Sequence, residues 1–234
     1  MNNIMDFWRN EWAAVTDVRE VSNILSNDFS PIREVVVVLT NNITGTYEAR
    51  SYPNDDYDGN GMIELYEVDV YEILIKGADE NGNSIVKKWE APRFMPYWNS
   101  PQDPDPHYKH LGWINAGLYS PKTITVPRYK KDYELQNRLS NFNGAIVLQG
   151  SFYIHAGPAD KQDFGYGSAG CIEIIGNFDD FKTDIMKLSG IENRTADEAI
   201  GMIVQNKKLK VKIEAATPPD IRSRFTREVH HSEL

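Results

Sequence analysis

Residues 5–26 set Phe7, Trp8, Trp12, Val15, Val18, Val21, Ile24 and Leu25 at three- and four-residue spacing, which predicts an amphipathic helix closed by the stretch Asp28 to Pro31. From Ile32 the apolar period shortens to that of strands. A Val-rich run over 35–39 and a second run over 44–52 are set apart by Asn41-Asn42, and Pro53 ends them. Residues 62–76 alternate Ile63, Leu65, Val68, Val70, Ile73 and Ile75 with acidic side chains, and Asn81-Gly82 turns that strand into residues 84–89 as a hairpin.

Between residues 91 and 110 stand Pro92, Pro96, Pro101, Pro104 and Pro106, which exclude a helix or an interior strand and predict a long ordered loop or lid. His107 and His110 lie in it. Beyond it, 123–126 and 145–155 read as strands, the second with an irregularity at Gly150-Ser151, and 129–139 as a short helix. Phe178, Phe181, Ile185 and Leu188 share one face of a helix stopped by Gly190. Thr195 and Glu198 form a capping box for a helix through Val204, and 209–213 alternate as a final strand. The elements predict a mainly β, α+β chain: an N-terminal helix over 1–30, a β-rich domain over 31–216 and a basic tail over 217–234.

At 234 residues with 41% hydrophobic side chains, a sizeable core is available without a metal or disulfide staple. The single cysteine, Cys171, excludes an intramolecular disulfide. A net charge of -9 argues against a general polyanion binder, since nonspecific nucleic-acid affinity comes from Lys and Arg on phosphates. Residues 207–234 carry a net charge of +3 and read as a solvated end. The N-terminal stretch has neither the basic start nor the apolar run of a secretory signal, and no window reaches the ~18 apolar residues of a membrane span. No integral membrane segment is expected.

Chemistry concentrates between Tyr153 and Gly176, where His155 closes an apolar strand and Cys171 follows inside a glycine-rich turn. A thiol needs a neighbouring base to become a good nucleophile, and a thiolate attacks a carbonyl to give a thioester. Gly165, Gly167 and Gly170 suit a backbone oxyanion hole, to which Ser168 adds a hydroxyl. Considered singly, a buried structural thiol and a core histidine remain the ordinary readings of Cys171 and His155.

Together, the strand-borne His155 and the turn Ser168-Ala169-Gly170-Cys171 resemble the signature of the L,D-transpeptidase (YkuD-like) catalytic domain. The resemblance implies a β-sandwich catalytic fold with a few helices, Cys171 as nucleophile and His155 as general base. It further implies the Ala156 carbonyl as the group orienting the imidazole, and Ser168, Gly170 and Tyr166 on the substrate and oxyanion side. The implied substrate is the stem peptide of bacterial peptidoglycan, cut at a diamino-acid to D-amino-acid bond with transfer to an amine or to water. No cofactor and no metal are expected. Two positions depart from the family pattern: Ala169 stands where a His is common, and Glu173 where an Arg is common. A substrate outside the cytoplasm and a chain without a visible signal together suggest a delivered antibacterial effector or a phage-associated enzyme, with an immunity protein as partner.

A rival reading is a non-catalytic β-rich binding or virion-structural module. Residues 56–67 match the Asp, Asp, Asn, Gly, Ile and Glu pattern of an EF-hand calcium loop, yet Pro53 before it and a strand after it replace the two helices that such a loop requires. The favoured reading of that stretch is an acidic Asx/Gly turn. His107, His110, His230 and His231 offer no convergent ligand set in the sequence.

Overall fold

The computed structural model describes residues 31–50, 52–53, 55–56, 58–93, 97–98, 116–119, 122–124, 144–148, 152–165, 171–217 and 224–233. The helices expected over 5–26 and 129–139, and most of the Pro-rich loop, lie outside the described residues. Contacts divide the chain into Met1–Ile32 and Arg33–Leu234, and every element below belongs to the second unit.

Twelve strands and two α-helices make up the described residues, so the chain is mainly β with few helices. In order they are β1 Val35–Arg50, β2 Tyr52–Pro53, β3 Ile63–Ala78, β4 Ser84–Pro92, β5 Tyr97–Trp98, β6 Gly117–Tyr119, β7 Lys122–Ile124, β8 Ala145–Val147, β9 Tyr153–Ala156, β10 Ile172–Ile174, α1 Phe178–Ser189, α2 Ala196–Gln205, β11 Leu209–Ile213 and β12 Phe225–Val229. No helix among them is long and apolar enough to cross a membrane.

The larger sheet runs β12-β3-β1-β11-β6, with β4 also paired to β3. Its spine is the antiparallel β1–β3 ladder, where Val35, Val37, Leu39, Leu65, Val68, Ile73 and Ile75 are buried. The two runs expected on either side of Asn41-Asn42 are one continuous strand. The register slips between Leu39 and Ile43 and again between Ile43 and Gly45, so the asparagines form a bulge instead of a turn. Side chains and neighbours satisfy the backbone there: Asn42 donates its N–H to Thr40 Oγ1, and Asn41 donates to Glu214. The hairpin at Asn81-Gly82 forms as expected, with Gly82 at φ 82° and the Asp79 carboxylate accepting from the Asn81 and Asn83 amides.

The smaller sheet, β10-β9-β8-β7, carries the candidate site. Residues 145–155, expected as one strand, are a hairpin: Ile146 pairs with Ile154 and Val147 with Tyr153, so the chain reverses between Leu148 and Phe152. β10 then runs parallel to β9, and Ile175 donates its N–H to Glu90 O of β4, which joins the two sheets.

α1 follows directly. Asn177 caps it by accepting from the Asp179 and Asp180 amides, and Gly190 at φ 75° ends it in the left-handed region. Arg33 donates to the carbonyls of Leu188 and Lys187 at that end, the second of which also accepts from the Gly190 amide. Phe181 is buried against Trp89 of β4 at 5.6 Å, edge to face. α2 has both halves of the Thr195/Glu198 capping box, and the buried Lys182 of α1 ties the helices together through Asp197. The segment after 217, expected as a tail, contributes β12 to the edge of the large sheet, with Val229 buried beside Ile63. The segment carries as many acidic as basic side chains, and its sequence did not betray the strand because four of the five β12 side chains are exposed.

Candidate active site

β9 and β10 are short, parallel and almost wholly buried. Ile172 lies opposite Ile154, Glu173 opposite His155 and Ile174 opposite Ala156. Alternation along a strand therefore sends His155 and Glu173 to one side of the sheet and the isoleucines to the other. Cys171 stands immediately before β10. It is in no disulfide and is 7% exposed.

His155 is fully buried, and its Nδ1 donates to the Ala156 carbonyl at 2.7 Å. A carbonyl only accepts, so the proton of the neutral ring sits on Nδ1 and Nε2 is the basic nitrogen. Burial pushes the imidazole pKa down from 6.5 to about 4, with the Ala156 carbonyl acting weakly in the other direction. At neutral pH the ring is in its base form.

Gly157, immediately after β9, explains how the strands lie so close. A Cβ there would meet Ile174 O at 2.8 Å, Glu173 Cβ at 2.9 Å and Glu173 C at 3.1 Å, while its own N–H donates to Ile174 O. Only glycine admits that approach. The β10 backbone and the Glu173 Cβ take that space, and Glu173 is 4% exposed.

From Gly157 to Gly165 the chain is fixed to β1 and β12. The buried Tyr47 hydroxyl donates to Asp163 O at 3.0 Å, and Gly165, at φ 85°, donates its N–H to Glu48 O. Phe164 packs against Ile63, Leu65 and Val229, and the Arg227 guanidinium lies 4.6 Å from the centre of its ring while pairing with Glu48. That ion pair holds the Glu48 carboxyl below its ordinary range. The Asp160 carboxylate accepts from the Gln162 and Asp163 amides. The segment leading to the glycine-rich turn thus starts from a rigid anchor.

The structure places His155 and Ala156 on β9 and Cys171 immediately before β10, the strand paired with β9. Ser168, Gly170 and Tyr166 lie outside the described residues, as do His107 and His110. Gly157, Tyr47 and the Phe164/Arg227 contact were missed in the sequence. The string His155-Ala156-Gly157 carried one readable signal, a glycine at the end of a buried strand.

The acidic stretch 56–67 is built differently. Asp56 accepts from the Asn60 and Gly61 amides, Asp58 from the Asn60 amide, and Asn60 Oδ1 from the Met62 amide at 2.7 Å. It is an Asx-type turn leading into β3. Glu67, the twelfth position of the calcium pattern, is an exposed β3 residue opposite Glu48 and does not return to the loop. Instead Glu64 and, from β12, Glu228 come within 4.8 Å of Asp58. Glu64 is 7% exposed and accepts from the Tyr66 hydroxyl. Burial raises its pKa despite that bond, and the charges of Asp58, Glu228 and Asp56 add to the rise. His230 and His231 are exposed after β12.

Comparison of the chain with protein-family models, curated proteins and solved structures finds no match.

Proposed function

We propose that this chain is a cysteine-dependent acyltransferase or hydrolase of peptidoglycan stem peptides, built on an L,D-transpeptidase-like catalytic domain. The observation that carries the reading is the His155 Nδ1–Ala156 O hydrogen bond on β9, the strand paired with the one that begins just after Cys171. It leaves Nε2 as the base and needs no third side chain to orient the ring. His155 Nε2 takes the Sγ proton as Sγ attacks the scissile carbonyl. The tetrahedral oxyanion is held by backbone amides at Gly170 and Cys171, with Ser168 beside them. Collapse expels the leaving amine, which takes the proton from the imidazolium, and a thioester remains. An amine or a water then attacks the thioester, gives its proton to His155, and releases the thiol.

Two further features support this reading: a rigid anchor at 157–165 before the turn, and burial that excludes water from the pair. The test is muropeptide analysis of cell wall treated with the wild-type chain and with Cys171→Ala. The wild type is expected to release or exchange the terminal D-amino acid, and Cys171→Ala to leave the profile untouched. Identical profiles from both favour the non-catalytic module. Alkylation of the folded protein gives a second readout: His155→Ala is expected to slow labelling of Cys171 at least ~100-fold, the scale of general-base assistance.

A further inference from the structure

We propose that Asn81, at the tip of the β3–β4 hairpin, is a site of self-modification that converts through a succinimide to aspartate and isoaspartate, while the fold protects Asn60 in an identical Asn-Gly pair. This chemistry is independent of the acyl-transfer reading. In an Asn-Gly pair the glycine nitrogen gives its proton to hydroxide and attacks the asparagine Cγ, forming the N–Cγ bond. The Cγ–Nδ2 bond breaks, ammonia leaves with a proton from water, and the cyclic succinimide remains. Water then opens either ring carbonyl, giving aspartate from one and isoaspartate from the other. Glycine favours the step because no Cβ stands in the way of the incoming carbon.

Both asparagines are exposed, so access to water does not separate them. What separates them is the hold on the reacting atoms, since the step needs the asparagine Cγ to swing onto the glycine nitrogen and that nitrogen to lose its proton. At Asn60, Nδ2 donates to Asp58 Oδ2 and to Glu228 Oε1 of β12, each at 3.1 Å, and Oδ1 accepts from the Met62 amide at 2.7 Å. The Gly61 N–H donates to the Asp56 carboxylate at 2.9 Å, and a negative charge beside a nitrogen opposes making it an anion. At Asn81 the Asp79 carboxylate accepts from the backbone N–H, and the side-chain amide has no hydrogen bond among the described residues. The Gly82 N–H donates at 3.1 Å to the Asp79 carbonyl, a neutral acceptor. Asn60 must therefore break its side-chain bonds and a charge-assisted one at Gly61, whereas Asn81 gives up one ordinary bond at Gly82. The product adds a negative charge beside Asp79 and Glu80, and isoaspartate lengthens the backbone by a methylene where the Asp79 N–H donates to Asn83 O.

The experiment incubates the full chain at mildly alkaline pH, folded and in urea, and follows aspartate and isoaspartate by peptide mapping, which assigns product to 60, 81 or the further Asn-Gly pair at 143. The folded wild type is expected to form product at Asn81 about tenfold faster than at Asn60 or more, the factor that one charge-assisted hydrogen bond is worth. In urea the two positions are expected to react at similar rates, because the difference belongs to the fold. Asp58→Ala together with Glu228→Ala removes both acceptors of the Asn60 Nδ2 while Asp56 keeps its bonds to the turn. That double variant is expected to speed Asn60 several-fold, with an unchanged Asn81 rate reporting that the fold is kept. Equal rates in the folded wild type overturn the proposal, and so does an Asn81 that stays intact while the chain in urea converts. It is overturned equally if Asn81 outpaces Asn60 as much in urea as in the folded chain, or if the double variant leaves Asn60 as slow as before.

Discussion

The β9–β10 site and the acidic turn at 55–64 are both short polar strings set among glycines, and the fold treats them in opposite ways. His155, Cys171 and Glu173 are drawn between buried strands, where burial strips the imidazole of its proton and pulls its pKa to about 4. In the acidic turn the carboxylates of Asp56 and Asp58 face outward and spend their lone pairs on backbone N–H groups, and only Glu64 at its base is buried. One region makes a base available by desolvation, while the other makes a turn by hydrogen bonding. Spacing in the sequence does not separate these outcomes, because what differs is the water around the groups.

Acid distinguishes the two regions most strongly. His155 is depressed from 6.5 to about 4, so the unfolded chain takes up a proton below pH 6.5 that the folded chain refuses. Stability from this group is complete above pH 6.5 and falls as pH drops toward 4, by about 3 kcal/mol in all. Urea denaturation from pH 7.5 to 4 is expected to show that loss in the wild type, and His155→Asn is expected to flatten it. Next in size is Gly157→Ala, whose methyl meets the backbone of β10 and not a movable side chain tip. A loss of about 2 kcal/mol is expected from the forced shift, together with slower alkylation of Cys171 in the fold that remains. An unchanged midpoint for Gly157→Ala would show that the strands have slack.

Glu64 responds with the other sign. Its carboxyl pKa is raised by burial, so ionising it works against the fold, and the penalty appears as pH rises through 4.5 toward the folded value. Glu64→Gln is expected to stabilise the chain at pH 7 by about 1 kcal/mol and to change nothing well below pH 4. Thermal melts of the two chains at pH 7 and pH 3.5 check this. If Glu64→Gln destabilises at pH 7, the carboxylate is held by something stronger than the Tyr66 hydroxyl.

Much of the fold was legible because its signals are local. Asn177 and Gly190 bracket α1, Thr195 and Glu198 start α2, Asn81-Gly82 makes the β3–β4 hairpin, and 209–213 alternates cleanly as β11. The failures have local causes too. Asn41-Asn42 serves a bulge as well as a turn, and only the pairing of β1 with β3 decides between them. Gly150-Ser151 reads equally as an irregular strand or a reversal, and the Ile146–Ile154 pairing shows the reversal. β12 has little apolar character to announce it, since an edge strand is mostly exposed.

The candidate site divides along the same line. The residue types and spacing of His155 and Cys171 put a nucleophile and a base within one short segment, and the resemblance supplied the Ala156 carbonyl as a partner for the ring. By itself the sequence determined which groups are available and where the chain could turn. The parallel register of β9 and β10, the closeness that Gly157 permits, the burial that leaves His155 neutral, and the placing of Glu173 opposite it were decided by tertiary structure alone. Parallel pairing leaves no turn residue in the sequence to mark it, and desolvation is a property of what surrounds a side chain instead of the side chain itself.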